Sequence, residues 1–234
     1  MYSGLKIKPP FFEIGPKAYL YGAAALKLAQ HADRMSRKYD VRIIFTPQCV
    51  DIPLIAQNTQ DLLVFAQHMD AIPVGRGIGT VLPEAIKEAG AQGVLLNHAE
   101  KKLGMAEIER TIARADEVGL ISMVCADTPQ DALEIARMKP NIVLAESPNL
   151  IGVGVRDEAA QLEIAATNAL VWGVDPDILV LHGAGIKNGK DIYDIVRHGA
   201  QGSGSTSGII LADDPFQMLE EMISAMRMAW DETH

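Results

Sequence analysis

The sequence predicts an α/β protein built as a closed (β/α)8 barrel, one domain spanning residues 1–234. Three observations point there. Short apolar runs alternate with longer amphipathic stretches along the whole chain, and no composition break or long low-complexity linker divides them. Eight such units in 234 residues also match the usual size of a closed barrel. An open doubly wound sheet uses the same units, but Gly75-Arg-Gly77-Ile-Gly79 has the wrong spacing for a dinucleotide fingerprint, and no strand directly precedes it.

The strand candidates are Phe11–Ile14, Val41–Phe45, Leu62–Ala66, Gly93–Leu96, Leu120–Val124, Asn141–Ala145 and Ile178–Leu181. Each is short and apolar at consecutive positions, as parallel strands buried on both faces are. Between them, apolar residues near i, i+3, i+4 predict helices over Tyr21–Lys38, Leu82–Ala89, Ala106–Glu117, Gln130–Met138, Asp157–Trp172 and Lys190–Arg197, with a long one over Asp214–Trp230. Pro83 and Pro129 fall in first helical turns, where a missing N–H costs nothing. Asp51–Gln57 is a weaker helix, interrupted by Pro53. The stretch from Gly202 to Gly208 is rich in Gly and Ser, yet the spacing requires an eighth strand there. Its small residues would let backbone approach a ligand closely.

With 21 Lys and Arg against 30 Asp and Glu, the formal net charge is −9. That argues against a nucleic-acid partner, which requires clustered basic residues, so an anionic ligand must be held by a local site. Hydrophobic residues make up 48% and charged residues 22%, too apolar for a disordered chain. Cys49 and Cys125 lie far apart and outside any CxxC pattern, which implies neither a disulfide framework nor a zinc module. No apolar core of a signal peptide and no membrane span is visible, so the expectation is a cytoplasmic protein without a membrane partner.

In a barrel the chemistry sits where strands end. Those positions hold Lys17; His68 and Asp70; His98 and Glu100; Glu146; His182 with Gly183-Ala-Gly185; and Thr206-Ser207-Gly208. A lysine, a histidine and a glutamate converging on one mouth can bind an anion, polarise a carbonyl and move a proton. Glu146 ends an apolar run and is followed by Ser147-Pro148, so it must be paired or poised. Taken alone, Lys17 reads first as a solvated side chain, and His98 as a hydrogen-bonded, partly buried one. Ile151-Gly-Val-Gly154, Gly183-Ala-Gly185 and Gly202–Gly208 follow three successive strands, where freed N–H groups can cradle a phosphate. Taken singly, each reads as a tight turn.

The order of motifs resembles the triosephosphate isomerase family, particularly its compact archaeal members. The resemblance runs through Gly77-Ile-Gly-Thr-Val-Leu-Pro-Glu84, Asn97-His-Ala-Glu-Lys-Lys-Leu103, Ala145-Glu-Ser-Pro-Asn-Leu-Ile-Gly-Val-Gly154, His182-Gly-Ala-Gly-Ile186 and Thr206-Ser-Gly208. It covers the chain roughly from Pro10 to the C-terminal helix and implies a TIM barrel. The roles it implies are the known ones of the family rather than a deduction from spacing: His98 as the neutral electrophile, Glu146 as the base between adjacent carbons, Lys17 facing the phosphate and the developing enediolate. Ser147 to Gly154 resembles a lid that excludes water. Gly185, Thr206, Ser207 and Gly208, with Ile151 and Gly152 from the lid, match phosphate-binding positions; Gly15 lies at the substrate end. The activity implied is aldose–ketose isomerisation of a small phosphorylated sugar, by default a triose phosphate, with no metal or other cofactor. Family members are dimers or tetramers, and Arg76–Val81 matches a region of their subunit contact.

A lysine about 4 Å from the developing charge at an effective dielectric of about 20 would supply roughly 4 kcal/mol before desolvation, against about 1 kcal/mol for a neutral hydrogen bond. Three departures stand out. Gly15 replaces the Asn that the family places two residues before the lysine, removing bulk and a donor, which keeps a C4 or C5 ketose phosphate open as substrate. Ala99 replaces the serine after the histidine, although Glu100 and Lys101-Lys102 remain. The eighth strand is unusually rich in Gly and Ser. Two other readings remain at this stage: a metal-dependent epimerase or aldolase using His68, His98 and His182 with Glu146 or Asp70, and a non-catalytic phosphosugar-binding barrel.

Overall fold

Eight parallel strands pair in chain order and close, β8 returning to β1, in a computed structural model that describes residues 1–148 and 158–234. The strands are β1 (Phe11–Ile14), β2 (Arg42–Phe45), β3 (Leu63–Ala66), β4 (Gly93–Leu96), β5 (Ile121–Ala126), β6 (Ile142–Ala145), β7 (Leu179–His182) and β8 (Gly202–Gly204). The first seven fall on the seven apolar runs, within two residues at either end. Alternate residues point to opposite faces of the sheet. Phe11, Ile44, Phe65, Met123 and Leu144 therefore fill the barrel interior. Phe12, Ile14, Ile43 and Phe45 pack outward under the helices.

The helices are α1 (Gly22–Tyr39), α2 (Ile52–Ala56), α3 (Pro83–Glu88), α4 (Met105–Val118), α5 (Pro129–Arg137), α6 (Glu158–Val174), α7 (Gly189–Arg197), α8 (Ser207–Ile210) and α9 (Pro215–Thr233). The expected helices recur, and Pro83 and Pro129 open α3 and α5. Caps fix two starts: Thr128 Oγ1 accepts the Asp131 N–H at 3.1 Å, and Asn188 Oδ1 accepts the Asp191 N–H at 3.1 Å. Around Pro53 the weak helix divides into a 3-10 turn, Cys49–Asp51, and the short α2. Among the described residues no helix is long and apolar enough to cross a membrane.

The eighth strand needs a correction. It stops at Gly204 instead of running through Thr206-Ser207-Gly208, and Ser207 already begins α8. Its glycines also make room for packing inside the barrel. A Cβ on Gly202 would strike the ring of Phe11, which lies across that strand, and one on Gly204 would stand 2.5 Å from the Glu13 carbonyl oxygen. Gly93 on β4 makes the same room for the ring of Phe65. Two large rings thus cross two glycines within the barrel.

Candidate active site

A cavity of about 740 Å3 opens at the C-terminal ends of the strands, and Lys17, His98, Glu146, Gly185, Thr206 and Ser207 all line it. Lys17 follows β1 in a left-handed conformation, φ 47°, unusual for a residue with a side chain. Two amides hold that turn: Gln48 Nε2 and Gln67 Nε2 donate to the Lys17 carbonyl at 2.9 and 3.1 Å. The Lys17 ammonium donates to Glu100 Oε1 at 2.7 Å.

His98 follows β4 on a loop pinned by Asn97, whose Nδ2 donates to the Cys125 carbonyl at 2.9 Å while its Oδ1 accepts the Leu103 N–H at 3.0 Å. The Glu100 N–H donates to His98 Nδ1 at 3.1 Å. A nitrogen that accepts carries no proton, so in the neutral ring the N–H is at Nε2. That Nε2 lies 3.5 Å from Glu146 Oε2. Burial, then the nearby Lys17 charge, hold the imidazole below its ordinary pKa. Burial pushes the Glu146 carboxyl above its own, against the opposing pull of Lys17 and an N–H from Ala184. A Cβ on Gly183 would come within 3.0 Å of Glu146 Oε1, so glycine there lets the β7 loop pass close to the carboxyl. The site therefore combines an uncharged N–H donor with a carboxylate of raised proton affinity, the pair needed to take a proton beside a polarised carbonyl.

At the other end of the cavity Gly185 has φ 70°, and the N–H groups of Gly185, Thr206 and Ser207 donate no hydrogen bond among the described residues. Thr206 Oγ1 donates to the Gly15 carbonyl at 2.8 Å, tying this end to β1. Gly208 lies apart from the cavity lining: its Cβ would meet the Ile186 carbonyl oxygen at 2.6 Å, so it serves close packing of α8. Ile151 and Gly152, with the rest of the lid from Asn149 on, lie outside the described residues.

The three histidines of the metal-site reading do not converge. His182 Nε2 bonds Asn168 Oδ1 on α6 at 2.9 Å, and His68 Nε2 lies 3.2 Å from Asp70 Oδ1. Among the described residues no group of three His, Cys, Asp or Glu side chains is placed to hold a metal.

Sequence reasoning missed Gln48, Gln67 and Glu13. The glutamines act through a backbone carbonyl and leave no motif. Glu13 did leave one, a lone acid inside an apolar strand. Its carboxyl is buried in the barrel mouth, where Thr46 Oγ1 donates to its Oε1 at 2.5 Å. The space over Gly15 is not vacant either. A Cβ there would stand 2.9 Å from Glu13 Oε1 and 2.9 Å from Thr46 Oγ1.

A family model described as Triosephosphate isomerase matches residues 16–225. The chain belongs to the triosephosphate isomerase family. The triosephosphate isomerase of Methanothermus fervidus is 40% identical over 206 residues, covering 88% of this chain and 92% of its own. That of Saccharolobus solfataricus is 35% identical over 224 residues, covering 94% and 98%. A solved triosephosphate isomerase from Bartonella henselae superposes with a TM-score of 0.74 at 15% identity, covering 94% of this chain and all of its own, and so shares the fold. The triosephosphate isomerase family is one of isomerases of the intramolecular oxidoreductase type, and in this barrel His98 and Glu146 line one cavity.

Proposed function

We propose that this protein interconverts the aldose and ketose forms of a triose phosphate through an enediolate. The observation that carries the reading is the facing of His98 Nε2 and Glu146 Oε2 at 3.5 Å, with the Nδ1 of the same ring closed off by the Glu100 N–H. Glu146 removes a proton from the carbon beside the carbonyl and returns it to the neighbouring carbon. His98 donates through Nε2 to the oxygens on which charge develops, and Lys17 lowers the energy of that charge. Glu100 serves twice, its backbone fixing the histidine tautomer and its carboxylate holding the Lys17 ammonium. The amides of Gly185, Thr206 and Ser207 receive the phosphate, which suits a chain of net charge −9 that has no broad positive field to offer.

A C4 or C5 ketose phosphate is the second reading, favoured by the absence of a side chain at Gly15. The Glu13 carboxyl takes up that room, which weighs toward the shorter substrate. The deciding experiment is NMR in D2O with a panel of C3 to C5 aldose and ketose phosphates. Isomerisation of triose phosphate with deuterium entering at carbon is expected. Binding without exchange at any carbon would instead mark a phosphosugar-binding barrel.

The protein works as a homodimer or homotetramer in this proposal. Ile78, at 107% exposure, stands in the Arg76–Val81 segment that the family resemblance links to subunit contact, and Val74, at 71%, lies exposed on the same β3–α3 connection. Both cysteines are free thiols, which suits a reducing, cytoplasmic setting.

A further inference from the structure

Strand β1 reads Phe-Phe-Glu-Ile, and its one charged side chain is buried to 8% exposure. A carboxyl taken out of water without a cation against it is costly, so a fold that keeps one needs a reason. Here Thr46 supplies one short hydrogen bond to Oε1, and among the described residues no other hydrogen bond and no ion pair reaches the carboxyl. Glu13 nevertheless lines the same cavity as His98 and Glu146. Positions 11, 13 and 15 point to the barrel axis. Because Gly15 has no Cβ, the Glu13 carboxyl can stand where a side chain at 15 would begin, 2.9 Å from that point. The glycine and the acid thus belong together: the carboxyl of residue 13 occupies the space that the missing side chain at 15 leaves.

We propose that Glu13 is a substrate-binding residue of this site, its carboxyl reaching over Gly15 to hydrogen-bond an oxygen on the unphosphorylated end of the sugar phosphate. The inference rests on the isomerase reading above and adds to it the group that recognises the carbon skeleton. Several groups face this carboxyl: Lys17 after β1, the Thr46 hydroxyl after β2, the buried Cys125 thiol on β5 and Glu146 after β6. Burial first, and the Glu146 charge after it, raise the carboxyl to about 7, while the Thr46 bond and Lys17 pull the other way. Near neutrality it can present an O–H donor toward an oxygen that gains negative charge during the reaction. Once ionised it repels that charge.

The test compares the parent enzyme with Glu13→Gln, Glu13→Leu and Gly15→Ala, measuring kcat/KM on triose phosphate, inhibition by inorganic phosphate, and melting temperature. Glu13→Leu is expected to lower kcat/KM about tenfold or more while the inhibition constant of inorganic phosphate stays within about twofold, because the phosphate amides are untouched. Gly15→Ala, whose methyl group displaces the carboxyl, is expected to lower kcat/KM in the same sense. Glu13→Gln, which keeps a donor but cannot ionise, is expected to retain more activity than Glu13→Leu and to lose the parent's decline above about pH 7. A Glu13→Leu enzyme within about threefold of the parent, or a phosphate inhibition constant that weakens in step with KM, overturns the proposal. If Glu13→Leu does not fold, the pH profile of Glu13→Gln decides: a profile parallel to the parent's overturns it. A parent that turns over triose phosphate beside indifferent variants sinks Glu13 alone, whereas a parent that exchanges no proton sinks the isomerase reading and this inference together.

Discussion

His98 Nε2 and Glu146 Oε2 stand 3.5 Å apart across the mouth of the barrel, held from behind by the Glu100 N–H on the histidine and by the Ala184 N–H on the glutamate. The separation is longer than the usual N–H···O hydrogen bond, so neither group consumes the other, and both remain available to a substrate placed against them.

Replacing Glu146 by Gln keeps the shape and the Ala184 contact but removes the proton acceptor. Turnover of triose phosphate is expected to fall by about a thousandfold or more, within the usual range for losing a positioned base. Inhibition by inorganic phosphate should change little, since Gly185, Thr206 and Ser207 lie on other loops. Near-normal turnover of Glu146→Gln, measured by NMR in D2O, would show that the base is elsewhere.

The two shifts set the acid side of the pH profile. Glu146 acts as a carboxylate, and burial raises its pKa, so kcat/KM should begin to fall at a pH above the ordinary carboxylate value of about 4.5. In this proposal His98 acts uncharged, and burial with the Lys17 charge holds its pKa below the ordinary value, so its protonation adds no fall at the usual histidine pKa. A kcat/KM profile with an inflection at the ordinary histidine value, abolished by His98→Gln, would contradict this assignment.

The first seven strands were legible because parallel strands buried on both faces leave continuous apolar runs, and Asn141–Ala145 illustrates the case. The placement of His98 and Glu146 on the cavity was legible through position, each a titratable residue one or two places after such a run. The eighth strand was legible only by counting, and the reason for its glycines was not. They exist to clear the ring of Phe11 and the backbone of Glu13, contacts between chain ends separated by most of the sequence. Glu13 was hidden for the same reason. Its meaning depends on the missing Cβ of Gly15 and on Thr46 across the β1–β2 pair, which one strand's sequence does not reveal.

Gly202→Ala tests the packing explanation of β8. The added methyl group meets the fully buried Phe11 ring, so the variant should lose about 1–3 kcal/mol of stability in denaturant unfolding, as overpacked cores do. Combining it with Phe11→Leu, which removes the ring, should cost less than the two single changes added together. Strict additivity would mean that the ring and the glycine are not coupled.

The exposed apolar tip of the β3–α3 connection carries the assembly proposal. Light scattering at micromolar concentration should give a multiple of the chain mass. Ile78→Glu, a change at a fully exposed position that costs the free subunit little, should shift the distribution toward monomer. A parent that runs as a monomer, or an oligomer indifferent to charge at both Val74 and Ile78, would remove this loop from the interface.

Glu13 also makes stability depend on pH, in a direction fixed by its shift. Its folded pKa of about 7 lies above the ordinary 4.5, so the folded state binds the proton more tightly than the unfolded chain does. The stability this lends is therefore fully present below about 4.5 and is lost as pH rises through about 7. The span corresponds to up to about 3 kcal/mol, with the carboxyl nearly all buried and little screened by solvent. Glu13→Gln has no proton to lose, so its stability relative to the parent should rise steadily between those two pH values and level off above them. Urea unfolding of both proteins across that range measures the difference. Parallel curves would mean that the carboxyl is already ionised at neutral pH and does not serve as the donor proposed for it.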